Sequence, residues 1–530
     1  MNTEPPAQPT DTRSDTAQRT ASPVLSRRAS GILLHPSSLP GPWGIGDLGP
    51  EARAFVDFLH ATGQQLWEVL PLGPTGYADS PYQSLSAFAG NPNLISPDLL
   101  VVDGLLAADD LAGGQAFPQD RVDFGAVIPF KRGLLQRAYQ RFCSGASPEL
   151  IEASREFRSA EADWLEEFAL FAALKNAHEG EQWLSWEEEL ACRDPRALEK
   201  AREELRDEIE YQVFAQFVFF RQWLGLKRYA NQRGVQIIGD VPIFVGHDSA
   251  DVWAHQDIFQ LDESGRMTAV AGAAPDFFIA TGQLWGNPLY RWDVLKKRGY
   301  DWWVERFRMA LEQADILRLD HFRGFANYWE VPAGAETALS GGWAPGPGAD
   351  LFEVVAGELG PLPMIAEDLG LITPDVHALR ARLGYPGMKV LVEAFHDDAD
   401  NQYLPHNYAR DFAVYPGTHD MQTVRGWWAN VSSTVQNNAR LYMGVDGHDI
   451  AWDLIRSALA SVADMAIIQM QDLLDLDNSA RMNTPGVTMG NWTWRYRHEQ
   501  LTHNVAERLA TLTRIYGRSR PKEEGGVVSG

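Results

Sequence analysis

The chain has few cysteines, no excess of basic residues and no long apolar run, and each shortage excludes a class of protein. Cys143 and Cys192 are the only cysteines in 530 residues, too few for a disulfide scaffold or a cysteine-based zinc site. No stretch approaches the roughly 18 apolar residues that a membrane-spanning helix needs. The first residues also lack the apolar core of a secretory signal peptide. We therefore expect a cytoplasmic protein with two reduced thiols.

The charge balance of the chain is strongly acidic. It carries 46 Lys and Arg against 71 Asp and Glu, a formal net charge of −25. A nucleic-acid-binding protein presents a basic surface to the phosphates, and a peripheral membrane helix needs basic residues for anionic lipids. We therefore expect neither nucleic acid nor a membrane as a partner.

Short apolar runs recur along the chain and predict its fold. Their residue numbers are 31–35, 66–72, 235–245, 315–322, 363–370, 388–395, 412–420 and 464–474. Most are nearly continuous, which is typical of parallel strands buried on both faces. Helical patterns lie between many of them, one at residues 50–63 with Phe55 and Leu59 on one face. Eight such strands with intervening helices predict an α/β fold of the (β/α)8 TIM barrel type, with a doubly wound open sheet as the alternative.

The remaining segments predict the domain organisation. Residues 1–28 and 517–530 are poor in large apolar side chains and are predicted to be disordered tails. We expect residues 29–516 to form one catalytic barrel. The gap between the second and third strands exceeds a simple crossover, which predicts a largely helical insertion at about residues 73–234. A second insertion of active-site loops is expected at about residues 246–314.

Four of the apolar runs carry polar residues at the point where the apolar strand stops. They are Asp240, Arg318, Asp320, Glu367, Asp368, His419 and Asp420. In a barrel the carboxyl ends of the strands converge on one site, so several carboxyl groups would share a pocket. Arg318 and Asp320 are two residues apart and point to the same face, where the cation favours an ionised carboxylate. Structural ion pairs are the alternative for any single acid, but four strand ends together favour a functional site.

Several carboxyl groups in one pocket suit glycosyl transfer. One carboxylate attacks the anomeric carbon, and a second carboxyl group protonates the leaving oxygen and later deprotonates the acceptor. A third stabilises the oxocarbenium-like transition state through negative charge and hydrogen bonds.

Other site types are disfavoured. GIGDLG at residues 44–49 matches a dinucleotide fingerprint, with Glu68 about 20 residues further on. A Pro-containing loop separates it from its strand, so it is predicted to be a turn into a helix. His247, His321 and His419 form neither an H-x-H pair nor an H-E-x-x-H motif, and G-x-S-x-G is missing. We expect no metal and no cofactor.

Two loops carry aromatic rings among polar groups, as sugar-binding loops do. The first covers residues 74–95 and the second residues 275–293. They contain Tyr77, Tyr82, Trp285, Asn287 and Tyr290. Ordinary packing is the alternative for each ring.

These segments together resemble the 4-α-glucanotransferases known as amylomaltases or disproportionating enzymes, glycoside hydrolase family 77. The likeness runs from GILLHPSSLPGPWGIGDLG (31–49) to ARMNTPGVTMGNWTWRY (480–496) and includes RLDHFRGF, IAEDLG and GTHD. It implies a (β/α)8 barrel with inserted subdomains and no separate C-terminal β-domain. It also implies a retaining transfer of α-1,4-glucan segments between maltodextrins, with a glucan or glucose as acceptor.

The resemblance implies a role for each matching residue. Asp320 would be the nucleophile, Glu367 the general acid/base and Asp420 the transition-state stabiliser. The implied substrate contacts in the donor subsite are Arg318 and His419, with Tyr82 near the scissile sugar and Asp240 as a strand-end acid. Tyr77 would lie at a second glucan-contact site, and Trp285 with Asn287 in an acceptor-side flap. Asn483 in RMNTPG would be a further binding residue.

The chain departs from the family pattern at two places, and some alternatives stay open. Met421 and Gln422 stand where Asn-Asp is common, and Val392 and Glu393 where Gln-Phe is more usual. These changes bear on subsite fit and leave the three acids in place. A retaining α-glucan hydrolase is the nearest alternative, because both reactions use the same acids. A non-catalytic glucan-binding protein and a nucleotide-dependent oxidoreductase are the more distant ones.

Overall fold

The computed structural model describes residues 27–112, 116–275 and 280–519, except for the side chain of Tyr77. Residues 1–26 and 520–530, which make up most of the two predicted tails, lie outside the described residues. Residues 276–279 of the predicted active-site loops lie outside them as well.

The described residues contain strands and α-helices that alternate along much of the chain. The strands are β1 (Ala29–Leu33), β2 (Leu66–Val69), β3 (Gln236–Pro242), β4 (Ala269–Ala273), β5 (Gln283–Pro288), β6 (Ile316–Asp320), β7 (Asn327–Pro332), β8 (Gly342–Pro345), β9 (Met364–Ala366), β10 (Gly387–Val390), β11 (Phe412–Tyr415) and β12 (Met465–Gln469). The first α-helices are α1 (Pro50–Ala61), α2 (Pro97–Val102), α3 (Ala108–Leu111), α4 (Phe124–Gly145), α5 (Pro148–Ala160), α6 (Ala162–Ala177), α7 (Glu188–Ala191), α8 (Pro195–Glu204), α9 (Arg206–Gln232) and α10 (Ala250–Ala254). The later ones are α11 (Trp292–Lys297), α12 (Asp301–Gln313), α13 (Arg323–Ala326), α14 (Ala349–Leu359), α15 (Pro374–Leu383), α16 (Val424–Asn430), α17 (Ser433–Met443), α18 (Ile450–Ala460), α19 (Met470–Leu473) and α20 (His503–Ile515).

Eight parallel strands form the barrel, in the order β10-β11-β12-β1-β2-β3-β6-β9. The two ends of this sheet meet where the Ala366 amide donates a hydrogen bond to the Pro386 carbonyl at 2.8 Å. Each of the eight predicted apolar runs overlaps one barrel strand, so the TIM-barrel prediction is confirmed and the alternative of a doubly wound open sheet is not. Six of the barrel strands are buried at every position, which explains the apolar runs: β1, β2, β9, β10, β11 and β12.

Aromatic side chains join the barrel to its outer helices. Trp67 on β2 is fully buried and meets Phe55 of α1 edge to face, with ring centroids 5.2 Å apart. It also meets Trp223 of α9 at 6.4 Å. Phe55 and Leu59 are buried, so the apolar face predicted for the helix at residues 50–63 does pack inward.

The long connection between β2 and β3 contains helices α2 to α9. Two buried glutamines of α9 fix the loop that follows β2. Gln216 binds the amide and the carbonyl of Gly90 at 2.7 and 3.0 Å, and Gln222 binds those of Ser96 at 2.7 and 3.2 Å. The helical region therefore holds residues 90–96 rigidly beside the barrel mouth.

A second sheet, antiparallel and ordered β5-β4-β7-β8, lies outside the barrel. The sequence predicted only loops for residues 246–314, which contain β4 and β5, and missed the hairpin of β7 and β8 altogether. These strands are short and interrupted by glycine or proline, such as Gly272 and Pro288, so they present no apolar run. After β12 the described residues contain helices and no further strand, in agreement with the expected lack of a C-terminal β-domain.

Two arginines extend the fold into the predicted tails. Arg518 is fully buried and donates to the Ala29 carbonyl at 2.9 Å and the Ala463 carbonyl at 2.8 Å. Arg28 donates to the Ser461 carbonyl at 2.8 Å. The described fold therefore includes a residue of each predicted tail, because composition does not detect a guanidinium that satisfies buried carbonyl groups.

The GIGDLG segment leads into α1, with Gly49 at the N-cap, as expected for a turn into a helix. β1 ends at Leu33 and α1 begins only at Pro50, so no tight strand-to-helix turn is formed. A Cβ atom on Gly46 would lie 2.1 Å from the Pro36 carbonyl oxygen, which explains this glycine by close packing. Among the described residues, no helix combines the length and the apolarity needed to cross a bilayer. Both cysteines are exposed and free.

Candidate active site

Arg318 and two carboxyl groups form the centre of the site. Its Nη1 donates to Asp240 Oδ2 at 2.6 Å and to Asp320 Oδ1 at 3.1 Å. Asp240 and Arg318 are paired residues on β3 and β6, and both side chains are buried. The Asp320 side chain is 25% exposed and faces the cleft. The sheet register thus fixes a cation between two carboxylates, one buried and one open to a ligand.

Tyr82 connects Asp240 to His419. Its hydroxyl donates to Asp240 Oδ2 at 2.6 Å and lies 2.7 Å from His419 Nε2. The two rings stack with centroids 5.6 Å apart and an angle of 9°. Burial lowers the pKa of His419, so its ring is neutral at neutral pH. Because the phenol has one proton and a carboxylate only accepts, His419 must carry its proton on Nε2 and donate to the Tyr82 oxygen.

Asp420 continues the same network. Its Oδ2 lies 3.4 Å from His419 Nε2, and its Oδ1 accepts a hydrogen bond from Asn483 Nδ2 at 2.6 Å. Arg481 donates to the main-chain carbonyl of Asp420 at 2.8 Å. The Asp420 side chain is 41% exposed, so it is oriented by its neighbours and remains accessible to a ligand.

Glu367 lies beside Asp320. Leu319 pairs with Ala366, so the next residues of β6 and β9 are neighbours across the sheet. Glu367 Oε2 accepts from the His321 amide at 2.8 Å, and Oε1 accepts from the Leu369 amide at 3.1 Å. His321 has a left-handed φ of 50°, which turns its amide toward Glu367 immediately after Asp320. Two main-chain donors therefore fix the orientation of this carboxyl group.

Asp320 and Glu367 differ in how tightly they hold a proton. Burial raises the pKa of Asp320 to about 7 and that of Glu367 to about 8, and the positive charge of Arg318 opposes both increases. The charge of Asp320 raises the pKa of Glu367 further. Arg318 bonds Asp320 directly, so Asp320 loses its proton first. Near neutral pH the pair therefore favours an ionised Asp320 beside a protonated Glu367.

The predicted loop residues are placed differently from one another. The Trp285 ring, on β5, meets the His321 ring edge to face at 4.6 Å, which places it next to the acid pair. Asn287 is buried, and its amide donates to the Val245 carbonyl at 2.8 Å. That contact ties β5 to the chain beyond β3 and keeps Asn287 out of the hydrogen-bonded network. The side chain of Tyr77 lies outside the described residues.

Known proteins resemble this chain in sequence and in architecture. The family model described as 4-alpha-glucanotransferase matches residues 34–502. The chain belongs to the 4-alpha-glucanotransferase family. It is 48% identical over 499 residues to the 4-alpha-glucanotransferase of Synechocystis sp., covering 93% of this chain and 99% of the relative. It is also 48% identical over 493 residues to that of Thermus thermophilus, covering 92% and 98%.

A solved structure supports the same assignment. Amylomaltase from Streptococcus agalactiae in complex with acarbose aligns with a TM-score of 0.90 at 40% identity, covering 93% of this chain and 100% of that one. The activity of the chain is therefore that of a 4-alpha-glucanotransferase, a glycosyltransferase acting on α-1,4-glucans. The hydrolase, the non-catalytic binding protein and the oxidoreductase are not favoured.

The transferase site includes residues that sequence reasoning missed. Glu68, considered in the sequence only as part of a dinucleotide fingerprint, is buried, and its Oε2 accepts from the Tyr415 hydroxyl at 2.7 Å. Burial raises its pKa to about 7, against the lowering effect of Arg318. The Trp492 ring lies 5.6 Å from that of Tyr82 and forms another wall of the site. The detectable signal for Glu68 was a carboxyl group in the middle of the apolar run LWEVLPL.

One strand-end acid does not belong to the site. Asp368 follows Glu367, but it lies 3.2 Å from Arg380 Nε and accepts from the Met388 amide at 2.7 Å. Its predicted place among the site acids was wrong, because neighbouring residues at a strand end point to opposite sides. In the described part of the chain, no group of three His, Cys, Asp or Glu side chains is arranged to hold a metal ion.

The residues that depart from the family pattern are mostly engaged within the protein. Gln422 Oε1 accepts from Asn430 at 2.9 Å and from Asn478 at 2.7 Å. Val392 is buried in the hydrophobic core. Met421 is partly buried and packs against the same core cluster. Burial raises the pKa of Glu393. Of these four departures from the family pattern, only Glu393 has an ionisable side chain.

Proposed function

We propose that the site transfers α-1,4-glucan segments from a donor maltodextrin to another glucan or to glucose by a retaining double displacement. Asp320 is the nucleophile, Glu367 the general acid/base and Asp420 the stabiliser of the transition state. The observation that carries this proposal is the direct bond from Arg318 to Asp320, next to a Glu367 that holds its proton more tightly.

In the first step Asp320 attacks the anomeric carbon of the donor. Its Oδ1 is bonded to Arg318, which leaves Oδ2 for the new ester bond. The bond between the anomeric carbon and the glycosidic oxygen breaks as the Glu367 proton moves to that oxygen. The product is a covalent glucosyl-enzyme and a released glucan with a free 4-hydroxyl group.

In the second step the 4-hydroxyl of an acceptor attacks the same anomeric carbon. Glu367, now a carboxylate, removes the hydroxyl proton, and the bond to Asp320 breaks. Two inversions restore the α configuration. Neighbouring strands lie about 4.8 Å apart, close to the roughly 5–5.5 Å between carboxyl groups in retaining enzymes. The adjacent positions of Asp320, at the end of β6, and Glu367, directly after β9, support this stereochemistry.

The other residues of the network bind and orient the donor sugar. Asp420 is placed to accept hydrogen bonds from sugar hydroxyls, and such bonds strengthen as the ring flattens in the transition state. His419 donates its Nε2 proton to the Tyr82 oxygen and so holds that ring at the site. Trp285 packs against the His321 ring, next in sequence to Asp320, and in this position it would help to exclude water from the intermediate, favouring an acceptor glucan over hydrolysis. The Streptococcus agalactiae amylomaltase was solved with acarbose, which supports a ligand in the corresponding cleft.

Incubation with pure maltotriose, followed by chromatography, tests the proposed reaction. We expect glucose together with a ladder of longer maltodextrins and no net increase in reducing ends. An Asp320→Asn sample serves as the blank. Glucose and maltose alone, with rising reducing ends, would indicate hydrolysis and overturn the transfer step.

The pH dependence of kcat/KM should be bell-shaped, with an optimum between about pH 7 and about pH 8. As the pH falls through about 7, Asp320 gains a proton and loses its nucleophilic form. As the pH rises through about 8, Glu367 loses the proton that the leaving oxygen requires. Initial rates with maltotriose check this. Activity that stays constant through pH 8 and above would contradict the acid role of Glu367.

A further inference from the structure

An exposed tryptophan lies on the second sheet, outside the network of acids. Trp343 on β8 is 44% exposed, although tryptophan is a large apolar side chain that folding usually covers. It pairs with Trp329 of β7 in the sheet register, and the two rings meet edge to face at 5.0 Å. The Trp329 indole donates to the Ala338 carbonyl at 2.8 Å, so the supporting ring is itself fixed.

One face of the Trp343 ring is occupied by a guanidinium group. The Arg323 Cζ atom lies 3.9 Å from the ring centroid, in a cation–π contact. Arg323 is held by Nη2 bonds to Asn327 Oδ1 at 2.6 Å and Thr373 Oγ1 at 3.4 Å, and by a bond from Nη1 to the Leu371 carbonyl. Because Arg323 and Trp329 hold the ring from two sides, the remaining exposed area of Trp343 is a pre-oriented apolar surface.

This surface adjoins the chain segments that leave both catalytic strands. Arg323 follows Asp320 by three residues, and Leu371 follows Glu367 by four. Leu371 is itself an exposed apolar residue, and its carbonyl accepts a hydrogen bond from the same guanidinium group that covers the ring. Asn327 and Thr373 supply polar groups at the margin. A flat apolar ring with a polar margin matches a pyranose, which has an apolar C–H face and a rim of hydroxyl groups.

We propose that Trp343 is an outlying glucan-binding subsite, which stacks on a glucose unit of a chain whose other end is bound at the catalytic acids. The ligand class is an α-1,4-glucan long enough to reach from Asp320 to the second sheet. This inference rests on the proposed function for the position of the chain. It adds a determinant of chain-length preference that the acids themselves cannot supply.

Chain-length dependence of the kinetics tests this subsite. For Trp343→Ala we expect kcat/KM for maltoheptaose to fall about tenfold, through KM, because the lost contact is the burial of an apolar ring face. The value for maltotriose should stay within about twofold, since a short chain does not reach the ring. Trp343→Phe should restore much of the loss. Ile515→Ala, an exposed apolar change on the terminal helix α20, is the matched control and should change neither value.

A binding measurement separates failure of the subsite from failure of the proposed reaction. Calorimetric titration of maltoheptaose into Asp320→Asn, with and without Trp343→Ala, reports affinity without turnover, and thermal unfolding confirms that both proteins are folded. We expect Trp343→Ala to weaken binding about tenfold. Unchanged affinity would overturn the subsite, whatever the reaction proves to be, and would leave Trp343 as a docking surface for another macromolecule. Equal losses for maltotriose and maltoheptaose would also overturn it.

Discussion

Replacement of Asp320 by Asn is expected to lower kcat for maltotriose transfer on the order of 10⁴-fold, because an amide cannot form the covalent intermediate. Asn has nearly the same shape and keeps an oxygen that can accept the bond from Arg318, now made to Asp320 Oδ1 at 3.1 Å. The loss should therefore appear in the chemical step and only weakly in KM. Initial rates with maltotriose, measured over extended times for the variant, give the ratio.

The thermal unfolding temperature of Asp320→Asn shows whether the variant is folded. The pKa of Asp320 is raised in the folded protein, so the stability linked to its protonation is present at low pH and is lost as the pH rises through about 7. Asn does not titrate and avoids that loss. We therefore expect Asp320→Asn to unfold at the same or a higher temperature than the parent protein at pH 8.

A neighbouring acid gives the matched comparison. Asp368→Asn changes another buried strand-end carboxylate, one bonded to Arg380 and the Met388 amide instead of the network. It should unfold at a lower temperature but keep near-normal kcat per folded molecule, since breaking a buried ion pair is destabilising. If Asp320→Asn kept activity within about tenfold of the parent, the nucleophile would have to be another residue.

The barrel could be predicted because parallel strands leave an unusually clear signal. Strands such as β11 and β12 are buried on both faces, so nearly every residue in them is apolar. The antiparallel sheet left no such signal. β8 is only Gly342–Pro345 and mostly exposed, and it is held by pairing with β7, a tertiary interaction that the sequence pattern does not show.

The same contrast applies to the site. Asp320 and Glu367 could be found because a barrel brings its strand ends to one place. The choice of Glu367 over Asp368 came from the family resemblance and not from the strand pattern, since it depends on which side chain meets the His321 amide and which meets Arg380. Glu68 was missed for a related reason. Its partner Tyr415 lies 347 residues away in sequence, and only the closure of the barrel brings the two together.

Replacement of Glu367 by Gln should separate the two halves of the reaction. With maltodextrin donors we expect kcat to fall roughly 10³-fold, because the leaving oxygen receives no proton. An α-maltosyl fluoride donor needs little acid help, since fluoride leaves as an anion. Asp320 can then still form its bond to the anomeric carbon as the C–F bond breaks. The second step lacks a base, so the maltosyl-enzyme should accumulate and appear in intact-mass spectra as an added maltosyl group.

The local structure sets the controls for this experiment. Both Glu367 oxygens accept main-chain hydrogen bonds, from His321 and Leu369, and Gln can accept only one of them. Thermal unfolding must therefore confirm a folded variant, and Glu367→Ala offers a second that places no donor against those amides. Adding Asp320→Asn to Glu367→Gln should abolish the adduct, because the ester oxygen is then gone.

The response to azide decides whether Glu367 supplies both the acid and the base. Azide is already an anion and needs no proton removed, so it should attack the trapped maltosyl-enzyme and shorten its lifetime in Glu367→Gln. In the parent protein azide should have little effect, because the acceptor hydroxyl is activated normally. A folded Glu367→Gln that forms no adduct with the fluoride donor, or that keeps full rates with maltodextrins, would place the acid/base role on another residue. An adduct whose lifetime azide shortens requires one residue that gives a proton in the first step and takes one in the second, and Glu367 meets that requirement through its raised pKa and its position beside Asp320.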